Sequence, residues 1–168
     1  MSSQMLDNLT SSEYDWVIER LPQKEPMRFI DRVESVDIGA RTIVCEFTAG
    51  MRPCVGYSEK DGVMPPVSLT ETMAQTVAAL MIAEDGINGR NFKIGFILSI
   101  RKMKIMAKEP IVKGMKLSSR VKISYEDSSG VCMAEACVCS AETGNRLTEA
   151  RITVMKPDDG YVSRLFEK

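Results

Sequence analysis

The chain has 168 residues, of which 44% are apolar and 27% are charged, and its formal net charge is −1. These values are typical of one globular domain, and they exclude the strongly basic field that binding to nucleic acid or to an anionic membrane requires. The chain contains no histidine. Ser-His-Asp and Cys-His sites are therefore excluded, and the usual general base at neutral pH is missing. We expect neither a nucleic-acid partner nor a metal site.

The expected compartment follows from the N-terminus and the cysteines. No basic run followed by an apolar stretch begins the chain, and the longest apolar region, around Val77 to Ala83, is too short to cross a bilayer. Cys137 and Cys139 would share one face of a strand, but their spacing is not that of a zinc site. We interpret the five cysteines as small buried hydrophobes. The prediction is a cytoplasmic protein with no membrane partner.

The predicted elements follow one another without repeats. The first predicted element is an amphipathic helix over 12–21. Two strands follow over 29–36 and 41–47, joined by a turn over 38–40, and then a loop over 50–62. Pro65 and Pro66 open a long helix over 67–84, apolar on nearly every side, which Gly86 and Gly89 end. Alternating polar and apolar residues predict four further strands, over 92–106, 116–125, 131–140 and 147–155.

One buried helix against a long antiparallel sheet is an α+β arrangement. A single sheet around one helix leaves an edge strand open, so we expect edge-to-edge dimerisation. The predicted domain spans 11–156, between a polar N-terminal tail over 1–10 and a C-terminal tail over 157–168.

Glu71 is the most informative residue of the long helix. Val67, Ala74 and Ala78 lie at −4, +3 and +7 from it, so it projects from an apolar stripe. Burial favours the neutral carboxyl group, whereas the positive end of the helix dipole favours the carboxylate. A group under such opposing influences is a candidate general acid. A glutamate that binds first-turn N–H groups, or points outward at the helix edge, fits the pattern equally well.

Two separated motifs carry a family resemblance. Residues 21–33 are LPQKEPMRFIDRV, and residues 56–75 are GYSEKDGVMPPVSLTETMAQ. They are similar to the segments LPHRxPFLLVDRV and GHFPxxPxMPGVxxxEAMAQ of the bacterial 3-hydroxyacyl-acyl-carrier-protein dehydratases, the FabZ and FabA type, and Glu71 falls on that family's acidic residue. Weaker similarity continues to about Met155. Gly95 and Phe96, after the helix, resemble the dehydratase-like proteins of aryl polyene pigment clusters.

The resemblance implies a hotdog fold, in which an antiparallel sheet wraps one long helix and two subunits form acyl tunnels at their interface. The reaction of that family removes water from a 3-hydroxyacyl thioester carried on the phosphopantetheine arm of an acyl carrier protein, and no other cofactor is implied. A histidine removes the C2 proton, the helix carboxyl group protonates the leaving hydroxyl, and a backbone N–H at the helix start polarises the thioester carbonyl. The implied dimer is a homodimer or a heterodimer with a homologous dehydratase.

Two elements of this site are altered. Tyr57 stands at the histidine position, and a phenol titrates near ~10, so its use as a base at pH 7 costs about 4 kcal/mol. Pro66 stands at the glycine that donates its N–H, and proline has none, although the Val67 N–H would be a substitute. Tyr57 either packs in the loop or forms a hydrogen bond with the substrate. The predicted catalytic residues are Glu71 and Tyr57, and the predicted substrate-binding residues are Gly56, Pro66, Val67, Gln75, Gly95 and Phe96.

Three functions are compatible with these residues. The favoured one is a dehydratase-like protein of fatty acid or polyene biosynthesis that binds acyl thioesters with a degenerate site, as a non-catalytic partner of an active homologue. The second is an active dehydratase that uses Glu71 with Tyr57 or a water molecule. The third is an acyl-thioester hydrolase, since hotdog hydrolases also place a helix carboxylate near the tunnel.

Overall fold

A computed structural model describes residues 11–50, 62–92 and 95–156 of the chain. The elements, in chain order, are a 3-10 turn at Ser11–Tyr14, α1 at Asp15–Arg20, β1 at Arg32–Asp37, β2 at Thr42–Thr48, β3 at Val63–Met64, a 3-10 turn at Pro66–Ser68, α2 at Leu69–Ile87, β4 at Phe96–Ile105, β5 at Ile111–Val112, β6 at Lys116–Glu126, β7 at Val131–Ser140 and β8 at Arg146–Met155.

Six of the strands form one antiparallel sheet in the order β1-β2-β6-β7-β8-β4. The helix α2 packs against β2, β6, β7 and β8. In β2 the side chains of Ile43, Cys45 and Phe47 are buried beneath α2, and those between them are only half-buried. The α+β arrangement of one long helix on an antiparallel sheet is therefore confirmed.

The start and the end of α2 have local causes. The prolines begin it with a 3-10 turn, so the α-helical part starts two residues later than predicted. The prediction that Gly86 ends the helix is wrong, because Gly86 lies inside α2 beneath the ring of Trp16. A Cβ atom added there would lie 2.3 Å from Trp16 Cη2. The helix ends after Ile87, where Gly89 adopts a φ of +65° and the Arg90 N–H donates to Asp85 O at 2.7 Å.

Other boundaries shift by a few residues. The predicted N-terminal helix is a 3-10 turn followed by the six residues of α1, and β1 and β4 start later than predicted. The turn predicted over 38–40 joins β1 to β2. A second sheet, formed by the two-residue strands β3 and β5, was not predicted. Most of the predicted loop over 50–62 lies outside the described residues.

Ion pairs fasten the C-terminal end of α2 to the sheet. Arg41, in the turn before β2, donates to both carboxylate oxygens of Glu84 at 2.7 and 2.9 Å, and it also contacts Glu126 at the end of β6 at 2.6 Å. These hydrogen bonds raise the pKa of Arg41 above its ordinary value. Asp85 pairs with Lys156 Nζ at 2.7 Å. Because Glu84 and Asp85 are both buried, these partners offset the cost of removing the two carboxylates from water.

The described part of the chain contains no helix that is long and apolar enough to cross a bilayer.

Candidate active site

Glu71 lies in the first turn of α2, half-buried, and its carboxylate is held by its own helix. Gln75, one turn further along, donates from Nε2 to Glu71 Oε1 at 2.6 Å. The spacing of four residues places both side chains on one face of the helix. Glu71 therefore does not point freely into solvent. It is a carboxylate in a fixed orientation at the helix start.

Gln75 connects the helix to the segment that carries the first sequence motif. Its side chain is 1% exposed, and its Nε2 donates to Met27 O at 2.9 Å as well as to Glu71. Its Oε1 accepts from the Phe29 N–H at 2.7 Å. Both amide protons are thus used within the protein, which supports a positioning role for Gln75. Substrate binding by Gln75 stays a prediction.

The helix start presents one backbone donor. The Ser68 N–H donates to Pro65 O at 2.9 Å, and the Leu69 N–H donates to Pro66 O and Val67 O. Within the described ranges no group accepts a hydrogen bond from the Val67 N–H, and this residue is 53% exposed. An N–H at the first turn of a helix is well suited to an oxygen that gains negative charge. Val67 therefore offers a backbone N–H donor, which Pro66 lacks.

The structure gives less information on the other predicted site residues. Gly56 and Tyr57 lie outside the described residues, so their position relative to Glu71 stays a prediction. Phe96 begins β4 opposite Met155 of β8 and is half-buried, and Gly95 precedes it. Substrate contacts for both stay predictions.

Sequence reasoning missed the groups that anchor the site. The backbones of Met27 and Phe29 have no chemical signature, and they meet Gln75 only through the fold. Thr70 is a second example: its hydroxyl lies 3.5 Å from Met103 Sδ and links the first turn of α2 to β4. In the middle of the helix, Thr76 Oγ1 lies 2.7 Å from Ser119 Oγ of β6.

The edge strand β4 carries an exposed apolar stripe. Ile97, Ile100 and Ile105 pair with buried positions of β8, so they face the same side of the sheet as α2. They are nevertheless 49%, 38% and 52% exposed. Within the described residues no strand pairs with the outer edge of β4. Three large aliphatic side chains on such an edge are typical of a surface that another chain covers.

The described cysteines hold no disulfide, and no group of three or more His, Cys, Asp and Glu side chains within the described ranges could hold a metal ion.

Comparison with solved structures identifies the fold. The solved dehydratase heterocomplex ApeI:P from Xenorhabdus doucetiae has a TM-score of 0.75 at 19% identity, covering 90% of this chain and 97% of that one. A virulence protein from Campylobacter jejuni has a TM-score of 0.64 at 14% identity, with coverage of 92% and 97%. These likenesses confirm the fold expected from the sequence, a hotdog in which the sheet packs around α2.

Sequence comparison narrows the class. The 3-hydroxyacyl-acyl-carrier-protein dehydratase FabZ of Nitrosomonas europaea is 26% identical over 147 residues, which cover 87% of this chain and 93% of that protein. FabZ of Staphylococcus saprophyticus is 29% identical over 116 residues, 68% of this chain and 77% of that protein. The fold and these relatives define a hotdog protein of the FabZ-like dehydratase superfamily. The family model described as ApeP dehydratase matches residues 16–166, and the chain belongs to this ApeP-like family.

Proposed function

We propose that this chain is the acid-bearing subunit of a 3-hydroxyacyl-acyl-carrier-protein dehydratase, with little chemistry of its own. It would supply Glu71 and one wall of an acyl-thioester site, and a homologous subunit would supply the base. The proposal rests on the Glu71 carboxylate, which Gln75 holds in one orientation in a chain that contains no histidine. A carboxyl group can protonate a leaving hydroxyl, but the usual base for removal of the C2 proton is a histidine, which this chain does not contain.

The proposed reaction divides between the two subunits. A histidine of the partner removes the proton from C2 of the 3-hydroxyacyl thioester. Glu71 donates its proton to the C3 hydroxyl, which leaves as water while the C2–C3 double bond forms. The Val67 N–H, which has no acceptor within the described ranges, stabilises the thioester oxygen as it gains negative charge. Glu71 must be protonated at the start of each turnover, and Gln75 holds it in one orientation.

The proposed partner binds along β4. Its apolar stripe of Ile97, Ile100 and Ile105 is exposed on an edge strand whose second edge pairs with no strand of the described chain. A homologous hotdog subunit offers a similar edge, so the two sheets would continue across the interface. The similar protein from Xenorhabdus doucetiae is described as a dehydratase heterocomplex, which supports a heterodimer for this chain as well. A homodimer would contain two acids and no histidine.

The test is reconstitution. The purified chain, a histidine-containing FabZ-like homologue from the same source, and their mixture are incubated with a 3-hydroxyacyl-acyl carrier protein, and the loss of water is followed by mass spectrometry. To isolate the composite site, the partner's own helix carboxylate is replaced by the corresponding amide. We expect this mixture to form the enoyl thioester and the chain alone to form none at a comparable rate. In the mixture, we expect Glu71→Gln to abolish the reaction. The control Glu109→Gln replaces an exposed glutamate distant in sequence from Glu71 and should leave the rate unchanged.

Two outcomes would overturn the proposal. Rapid enoyl formation by the isolated chain would mean that Tyr57 or a water molecule serves as its base. Release of free acid and thiol would identify an acyl-thioester hydrolase.

A further inference from the structure

Two cysteines lie side by side on the face of the sheet turned away from α2. Cys137 and Cys139 are two residues apart in β7, so their side chains project from the same face. Ala136 and Val138, which alternate with them, belong to the hydrophobic core. Cys139 is 6% exposed, and Cys137 is half-buried and lines a cleft of about 540 Å³. This thiol pair is therefore accessible from the cleft through Cys137.

The two thiols interact, but they are too far apart along the strand for a disulfide. Burial raises the pKa of Cys137, and the Cys139 thiol, to which it is hydrogen-bonded, raises this pKa further. Residues of a strand rise by ~3.3 Å each, so two Cβ atoms on one face are roughly 6.6 Å apart, whereas a disulfide requires about 3.5–4.5 Å. A disulfide would therefore require movement of the backbone, and the strand keeps the pair as two thiols.

The neighbouring strands place a positive charge beside each thiol. Arg120 of β6 pairs with Cys137, and Arg146 of β8 pairs with Cys139. Directly paired residues of an antiparallel sheet have their side chains on one face, with Cβ atoms about 4.5–5.5 Å apart. Both guanidinium groups counteract the rise in the pKa of Cys137, because positive charge favours a thiolate. The surroundings of the pair therefore suit two deprotonated sulfurs better than burial alone would.

Ser118 is an independent indication of a ligand at this position. It pairs with Cys139 across β6 and β7, so its hydroxyl lies on the face that carries the thiols. Ser118 is 5% exposed, and its Oγ has no hydrogen-bond partner within the described residues. A buried hydroxyl without a partner carries a cost in free energy. A metal-bound thiolate beside it would accept its hydrogen bond and remove that cost.

We infer that Cys137 and Cys139 form a two-coordinate site for copper(I), a soft monovalent cation. Thiolates select soft ions, but structural zinc and iron–sulfur sites use four ligands. In the part of the chain that the structure describes, no group of three or more His, Cys, Asp and Glu side chains offers such a set. A two-coordinate ion holds its sulfurs about 4.6 Å apart, twice a metal–thiolate bond of ~2.3 Å. Two side chains on one face of a strand reach this separation by leaning together. The thiols lie on the opposite face of the sheet from α2, so this inference does not depend on the proposed function.

Binding exchanges protons for the metal ion. Each thiol releases one proton to solvent, a Cu–S bond forms to each sulfur, and no electron is transferred, so the complex carries one net negative charge. Glu149, which pairs with Cys137, is already bound by Lys104 and Arg146. Arg120 forms no ion pair within the described ranges, and its charge beside Cys137 stabilises the complex. Because protons are released, the affinity rises with pH.

The test is a competition for copper(I). The reduced full chain, kept free of oxygen, is titrated with copper(I) in the presence of bicinchoninic acid, whose coloured complex reports the copper that the protein leaves behind. We expect one ion per chain, and tighter binding at pH 8 than at pH 6. Cys137→Ser and Cys139→Ser should each weaken binding by more than about 100-fold, because removal of a ligand costs more than the roughly 10–100-fold typical of its hydrogen-bond partners. Ser118→Ala should weaken binding by about tenfold.

Cys132→Ala is the matched control, because Cys132 lies on the same strand but belongs to the hydrophobic core; it should leave the affinity unchanged. Thermal unfolding checks that each variant is folded, and Cys139→Ala replaces Cys139→Ser if that variant is not. X-ray absorption of the copper-loaded chain should show two sulfur neighbours. Equal affinities of the unmodified chain and the Cys137→Ser and Cys139→Ser variants would overturn the inference. A loss of binding confined to Cys54→Ser, or displacement of copper(I) by zinc at equal concentration, would overturn it as well.

Discussion

Replacement of Gln75 by leucine tests whether this side chain fixes the geometry of the site. Leucine has a similar volume but removes three hydrogen bonds, to Met27 O, to the Phe29 N–H and to Glu71 Oε1. Each such bond contributes about 1 kcal/mol net, and a bond to a charged group contributes about 2 kcal/mol. The added apolar burial offsets about 1 kcal/mol of this loss. We expect Gln75→Leu to lower the free energy of unfolding by about 2–4 kcal/mol.

Urea denaturation measures this loss, and thermal unfolding should show a midpoint lowered by roughly 5–12 °C for a chain of this length. Gln23→Leu is the matched control. Gln23 Oε1 is buried and has no hydrogen-bond partner within the described ranges, so its removal should cost less than about 0.5 kcal/mol. In the proposed two-subunit dehydratase, Gln75→Leu should also lower the rate. A Gln75→Leu protein as stable as the Gln23→Leu protein would show that these three hydrogen bonds do not stabilise the fold.

Three further predictions concern the framework. Gly86→Ala should lower the free energy of unfolding by about 1–3 kcal/mol, because the new Cβ would overlap the Trp16 ring; tryptophan fluorescence during denaturation measures it. Arg41→Met should cost about 2–3 kcal/mol in the same measurement, because it leaves the buried Glu84 carboxylate without its bidentate partner. Burial raises the pKa of the Cys132 thiol to about 11. Its alkylation by iodoacetamide, followed by mass spectrometry, should therefore be slow at pH 8 and should accelerate only as the pH approaches that value.

Each of these predictions has its own control. Trp16→Leu should relieve the overlap, so Gly86→Ala should cost less in that background than in the natural one. Arg151→Met removes an exposed ion pair and should cost less than about 1 kcal/mol; an equal loss at both arginines would contradict the role given to burial. Rapid labelling of Cys132 in the folded protein at pH 8, as fast as in urea, would show that the thiol is not buried.

Much of the fold follows from patterns within short stretches of sequence. The prolines at 65 and 66 mark the start of α2, and alternation places β6, β7 and β8 to within about a residue. The two-residue strands β3 and β5 escape detection because a period needs more residues than they contain. Gly86 misleads because a glycine in a helix commonly marks its end, whereas here it accommodates a ring from α1. Such a contact between distant residues leaves no local pattern.

The candidate site, like the fold, was predictable from the sequence only in part. Glu71 was found from its place on an apolar helix and from the family motif, and the structure adds what holds it. The bonds of Gln75 reach residues 46 and 48 positions away, which no periodicity could indicate. The bulge of β4 between Arg101 and Lys104 also leaves no mark in the sequence, because it depends on the register between β4 and β8. The sequence therefore predicts the candidate acid, and the tertiary structure shows which groups hold it.

The division of acid and base between two subunits is tested most directly by single-turnover dehydration with the partner's helix carboxylate removed. We expect this mixture to form enoyl thioester about 10²-fold or more faster than the isolated chain, because a positioned general base usually contributes a factor of that size. Glu71→Gln in the mixture should return the rate to that of the isolated chain. An isolated chain that dehydrates the substrate as fast as the mixture would show that acid and base are not divided between two subunits.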